Sequence, residues 1–313
     1  VGFSPSNFDR RLIDAGAFED VDVTDGERCI MDTDALTFSC GSQSFRYAAT
    51  VVAQDGGAQA AVFTVGAFKI RPAVIVDAVG SRPLIVDARG EVDIEGQLRA
   101  SGLYVAADGG GFVPPSGSLY VSPGEGYYGS EFCGKVGRPI PATIHPYGTS
   151  DLQPLMGGSG GSLASGGGAV QITSLVKVTV GKGGLINTNG MGGARGPGMD
   201  HGFNYGGAGS GGAILLEAPA VTMAGGLAAN GGGRFDGGTS PGVGQAPGCD
   251  DPSLGGAGSV GDDPNGEAGS DQFCLGGGGA GWIAVRARAC EFTGVVSPSL
   301  KSGCAHGFLM ESK

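Results

Sequence analysis

One short apolar motif recurs along this chain. It places apolar residues at a start position, then two, about eight, about ten and about fourteen residues later. The first copy is Ala60, Val62, Phe68, Ile70 and Val74, and the second, at identical offsets, is Leu84, Val86, Val92, Ile94 and Leu98. A third runs Val170, Ile172, Val178, Val180 and, two residues late, Ile186. A fourth tightens by one residue to Ile214, Leu216, Val221, Met223 and Leu227, and the fifth is Ile283, Val285, Cys290, Phe292 and Val296. Steps of two put both side chains on one face of a strand, and the Gly, Pro and Asp of the gaps suit corners. Each copy therefore reads as one rung, and the expected fold is all-β, a short parallel β-solenoid. Val62, Val86, Ile172, Leu216 and Val285 should line one interior column.

The spacing between copies predicts the organisation. Residues 1–55, with alternation from Val21 to Cys40, read as an N-terminal β cap that covers the unpaired edge of the first rung. Residues 56–296 form the solenoid, and 297–313 a C-terminal tail. Copies one and two are 24 residues apart, whereas later spacings are 86, 44 and 69. The excess always follows the last apolar position, as insertions at about 102–166, 188–210 and 230–280. All three should leave at one corner. The first carries Phe112, Tyr120, Tyr127, Tyr128, Phe132 and Tyr147, enough for a small satellite cluster. The other two are nearly pure turn chemistry, and runs such as Gly231–Gly233 and Gly276–Gly279 read either as close-packed extended polyglycine or as irregular turns.

Composition narrows the function classes. Glycine supplies 66 of 313 residues without a period of three, which excludes collagen, and the repeated apolar pairs argue against disorder. The net charge of −11, with no Lys/Arg cluster, makes nucleic acid an unsuitable partner. No run approaches the roughly 18 apolar residues of a membrane helix. The seven cysteines show no zinc-type spacing. Sequence proximity pairs Cys29 with Cys40, Cys249 with Cys274 and Cys290 with Cys304, leaving Cys133 over, in an oxidising compartment.

Candidate chemistry is sparse. Asp262, Asp263, Asn265 and Glu267, with Gly266 for a turn, form an oxygen-rich cluster chemically suited to calcium. Its spacing matches neither an EF-hand nor a calcium-binding nonapeptide, and a solvated acidic loop is the competing reading. No other cofactor is expected. Polysaccharide hydrolases of solenoid form use carboxylate pairs on neighbouring rungs. Here Gly261-Asp262-Asp263 lies in a loop and Ala305-His306-Gly307 in the tail, so the chain is expected not to be an enzyme. Trp282, opening the fifth copy, reads as a core or corner residue, with sugar stacking as the alternative. His145 and His201 stand alone.

The segments Gly2–Asp9 (GFSPSNFD), Ser81–Gly102 (SRPLIVDARGEVDIEGQLRASG) and Gly209–Gly233 (GSGGAILLEAPAVTMAGGLAANGGG) make the chain resemble glycine-rich secreted surface proteins of the myxobacterial type. The resemblance implies an extracellular or cell-surface location and brings no catalytic motif. The stretch from Phe112 to Tyr147 departs from it, since relatives are richer in glycine there. Five rungs stack to only about 24 Å, and a free rung end can be covered by another subunit. The expected function is thus a structural protein that self-assembles head-to-tail into an extracellular filament or surface layer. The alternative is a monomeric adhesin or carbohydrate-binding module that uses the Phe112–Tyr147 region on extracellular polysaccharide.

Overall fold

A computed structural model describes residues 3–13, 18–24, 28–57, 59–101, 151–158, 166–190, 209–232, 280–298 and 300. Among them the fold is all-β, with helix limited to one 3-10 turn at Arg10–Leu12. Four strands precede the first repeat: β1 (Val21–Val23), β2 (Arg28–Asp32), β3 (Thr37–Cys40) and β4 (Ala48–Val52). The first repeat gives β5 (Ala60–Val65), β6 (Phe68–Ile70) and β7 (Ile75–Val79), and the second β8 (Leu84–Ala88), β9 (Val92–Ile94) and β10 (Gln97–Arg99). The third gives β11 (Ala169–Ser174), β12 (Lys177–Val180) and β13 (Leu185–Asn187). In the last two repeats the first two strands fuse, as β14 (Ala213–Met223) with β15 (Gly226–Ala228), and β16 (Trp282–Phe292) with β17 (Val295–Ser297).

Whether the first corner breaks the strand is decided locally. Ser174 accepts the N–H groups of Val176 and Lys177 on its hydroxyl (3.0 and 2.9 Å), which turns the chain between β11 and β12. β8 also breaks there, with Ala88 in the place of Ser174 and again two residues, Arg89 and Gly90, in the corner, so the difference in β14 is one of length. β14 passes through Ala218, Pro219 and Ala220 with one residue fewer, as its pairing with both β11 and β12 shows.

Two sheets result. The larger runs β1-β6-β9-β12-β14-β11-β8-β5-β4, with β16 added on β14, and folds back on itself because β14 is long enough to pair with two strands. The smaller runs β17-β15-β13-β10-β7-β2-β3. Pairing is parallel except at β4 with β5 and β2 with β3, so two antiparallel strands sit at the N-terminal edges. The Cys29–Cys40 disulfide joins register partners of the β2–β3 pair, as sequence proximity predicts.

Register aligns the apolar motif of the last four copies position by position. Leu84 pairs with Val170, that with Ile214, and that with Ile283. The fifth positions Leu98, Ile186, Leu227 and Val296 align likewise. The first copy departs from expectation at two points. Its strand is shifted by one residue, so Phe63, not Val62, stands beside Val86, and Ala61, not Ala60, beside Leu84. A one-residue shift sends a side chain to the opposite face, and Val62 packs in a separate cluster outside the main core. β5 is buried on both faces and apolar from Ala60 to Phe63, so Thr64 alone marks the face turned away from the core. Similarly Val76, not Val74, pairs with Leu98. The connection from β6 to β7 takes four residues, Arg71 to Val74, where β9 to β10 takes two, Glu95 and Gly96. The core columns also extend one step beyond the first copy, because Val21 pairs with Phe68, Val23 with Ile70 and Cys29 with Val76.

The three insertions share one corner. They follow β10, β13 and β15 of the smaller sheet and precede β11, β14 and β16 of the larger. Their described ends pack as extended glycine-rich chain. Around Gly209–Ala213, Gly167 donates its N–H to Ser210 (2.8 Å), Gly232 to Gly209 (2.7 Å) and Trp282 to Gly212 (2.9 Å), while Gly212 donates to Thr188 (2.8 Å). A strand in a sheet has two neighbours, whereas this segment has four, which requires backbones to approach without side chains between them. A Cβ on Gly212 would collide with the carbonyl oxygen of Gly168. Of the two polyglycine runs named above, Gly276–Gly279 lies outside the described residues.

Candidate functional site

Along β5, β8, β11 and the first halves of β14 and β16, the larger sheet is buried on its second face as well. Strand positions immediately after the core column place Thr64 beside Asp87, Asp87 beside Thr173, Thr173 beside Glu217 and Glu217 beside Arg286. Five polar side chains thus form a ladder on the face opposite the core, and all five are buried. Two segments cover it, residues 3–13 and 151–158. Phe8, Ile13, Leu152 and Leu155 pack against Val62, Ile85 and Leu215 of the same face, with half-buried Trp282 at the edge. Trp282 is therefore a packing residue here, as one of its two sequence readings has it.

The centre of the ladder is densely bonded. Gln171, two residues before Thr173, donates from Nε2 to Glu217 Oε2 (2.7 Å) and to Thr173 Oγ1 (3.1 Å). Its Oε1 accepts from Asn7 Nδ2 (2.9 Å), which also donates to the Leu152 carbonyl (2.9 Å). Ser6 donates its backbone N–H to Glu217 Oε2 (3.2 Å) and its hydroxyl to Glu217 Oε1. Arg286 Nη1 donates to Glu217 Oε1 (3.2 Å) and to Ser6 Oγ, and its Nη2 to the Asp151 carbonyl. With its amide oxygen turned toward Arg286, Gln153 accepts from both terminal nitrogens (2.8 and 3.1 Å).

Burial pushes the Glu217 carboxyl above the usual carboxylate range, and the Ser6 hydroxyl and the Arg286 guanidinium partly oppose that shift. The result is a carboxyl with a hydroxyl on one oxygen and an amide nitrogen on the other, shielded from water. Two strands away, Arg10 Nε bonds Asp87 Oδ1 (2.8 Å), Arg10 Nη1 bonds the Phe3 carbonyl (3.2 Å), and its guanidinium lies over the Phe3 ring at 5.1 Å. The N-terminal segment is therefore held at two polar points, Ser6–Asn7 and Arg10.

None of these residues was singled out from sequence, although a signal exists. In each of the last four copies a polar residue follows the second apolar one, as Val86-Asp87, Ile172-Thr173, Leu216-Glu217 and Val285-Arg286, and Thr64 likewise follows Phe63, which takes the place expected of Val62. Of the residues named from sequence for candidate chemistry, Trp282 stands at the edge of this face. Asp262, Asp263, Asn265 and Glu267, the three histidines, and the aromatics from Phe112 to Tyr147 lie outside the described residues. So do Cys133, Cys249, Cys274 and Cys304, whereas Cys290 is disulfide-bonded. Among the described residues no group of His, Cys, Asp and Glu is arranged to hold a metal ion, and no helix is long and apolar enough to cross a membrane. No protein-family model, curated protein or solved structure matches this chain.

Proposed function

We propose that the chain is a secreted, non-catalytic structural protein, a short β-solenoid that presents its long insertions from one edge at the cell surface. The aligned parallel registers support the solenoid reading. They stack Val21, Phe68, Val92, Val178, Val221 and Cys290 in sequence. The observation that carries the display reading is the common corner: three insertions of unequal length leave after one sheet and return before the other, anchored by the same glycine packing. Bonded cysteines fit an oxidising, extracellular setting. In this reading the insertion between β10 and β11, with its aromatics from Phe112 to Tyr147, is the contact surface for extracellular polysaccharide.

Antiparallel β3 and β4 at the N-terminal edges favour a monomeric adhesin over the head-to-tail filament, because they interrupt the parallel pairing that a second copy would continue. Sedimentation across a concentration series, with imaging of native material, tests this. A monomer at high concentration supports the adhesin, and fibres in native preparations would establish the filament instead.

A further inference from the structure

The residues around Glu217 make up an acyl-transfer arrangement as well as a packing network. A hydroxyl, Ser6 Oγ, donates to Glu217 Oε1, and a carboxamide nitrogen, Gln171 Nε2, lies 2.7 Å from Glu217 Oε2. One carboxyl thus touches both a nucleophile and the leaving group of an amide. The carbonyl oxygen of that amide already accepts from Asn7 Nδ2 at 2.9 Å, the place where a donor stabilises developing negative charge. Ser6 Oγ also accepts from Arg286 Nη1, and a cation there favours the alkoxide form. Gln171, Thr173 and Glu217 are each at most 1% exposed, so water competes poorly as nucleophile.

We propose that Ser6 and Gln171 become joined by an intramolecular ester that the folded chain makes itself. Ser6 Oγ bonds to Cδ of Gln171, the Cδ–Nε2 bond breaks, and the hydroxyl proton travels through Glu217 to the departing nitrogen, which leaves as ammonia. No oxidant, metal or second substrate enters. A carboxyl held above its ordinary range accepts and returns a proton near neutral pH more readily than an ordinary one. Thr173 is the other hydroxyl at hand, but it meets the nitrogen edge of the amide, at 3.1 Å from Nε2, and sits only two residues away on the same strand. Ser6 comes from the covering segment, and its neighbour Asn7 brings the carbonyl donor with it. The link would fasten residues 3–13 across the ladder, independently of whether the protein is a monomer or a filament.

The test is the intact mass of the purified full chain, with disulfides reduced, followed by peptide mapping. The expected mass is lower than that of the sequence by one ammonia, with the peptide holding Ser6 joined to the peptide holding Gln171 and released by hydroxylamine. Ser6→Thr keeps the link, and Glu217→Gln slows its formation by at least about a hundredfold, in the range a general base contributes. Full sequence mass in folded wild-type protein overturns the proposal, whatever the variants do. A link through Thr173 overturns the assignment to Ser6.

Discussion

Where β5, β8, β11, β14 and β16 carry the ladder, the larger sheet is buried on both faces, and the two faces solve opposite problems. On the core face, Phe63, Val86, Ile172, Leu216 and Val285 stack as an apolar column at no more than trace exposure. One residue further along the same strands, Thr64, Asp87, Thr173, Glu217 and Arg286 stack as a polar column that is almost as buried. Apolar side chains pack without directional requirements, so the core column tolerates any register that keeps the step of two. The polar column needs a partner for each group, because a buried polar atom left unpaired costs about 1–3 kcal/mol and a buried charge more. That demand explains the covering segments. Ser6, Asn7, Arg10, Asp151 and Leu152 supply donors and acceptors that neighbouring strands do not. The core column can form from the repeats alone, whereas the polar column is complete only after residues 3–13 and the mid-chain residues 151–158 have docked.

The contrast predicts a ranking. Arg286→Ala should be the most damaging change on either face, at about 3–5 kcal/mol in denaturant unfolding, since it leaves Glu217 charged or forces it to protonate in a dry site. Replacing both partners, Glu217→Leu with Arg286→Met, should recover most of that loss; a double variant no better than Arg286→Ala would mean that the pair is not what the site depends on. Leu216→Ala, one position away but facing inward, should cost about 2–5 kcal/mol through the cavity it leaves. The discriminating measurement is limited proteolysis of residues 3–13. Arg286→Ala should expose this segment while the core stays folded, and Leu216→Ala should not.

The different demands of the two faces also explain what could be read in advance. Four of the five residues named for the core column stand where the apolar spacing places them, because a step of two at corresponding places fixes both strand and face. The exception, Val62, sits in a strand buried on both sides, where Ala60-Ala61-Val62-Phe63 offers two apolar faces and only Thr64 marks the one turned from the core. The polar ladder escaped notice because each member, taken alone, looks like an ordinary outward residue. Asp87 reads as solvent-facing until Arg10, 77 residues earlier, is seen to cover it, and Glu217 lies 211 residues from Ser6. Local pattern reports which residues share a face. It does not report which distant segment will shield that face.

A smaller effect sharpens the comparison at the N-terminal end of the ladder. Thr64 is fully buried, and its hydroxyl has no hydrogen-bond partner among the described residues. Thr64→Val keeps the shape and removes the unpaired group, so it should be neutral or stabilising by up to about 1 kcal/mol. The same swap at Thr173, whose hydroxyl meets both Gln171 and Glu217, should destabilise. Equal effects at the two positions would show that the ladder is held by packing alone.

The smallest expected effect is the pH dependence of the covering segment, and its sign follows from Glu217. Burial raises this carboxyl above its ordinary value of 4.5, so the folded chain holds the proton more tightly than the unfolded one. Stability from that proton is fully present below the ordinary value and is lost as pH rises through the folded one, because over that interval the native state binds more protons than the unfolded state. Other carboxyls titrate in the same range, and the informative quantity is therefore the difference between wild type and Glu217→Gln, which cannot ionise there. Measured by urea unfolding from mildly acidic to neutral pH, wild type should lose stability relative to the variant as pH rises. If wild type instead gains on the variant, attraction to Arg286 outweighs desolvation, and the polar face is held by charge at neutral pH rather than by a shared proton.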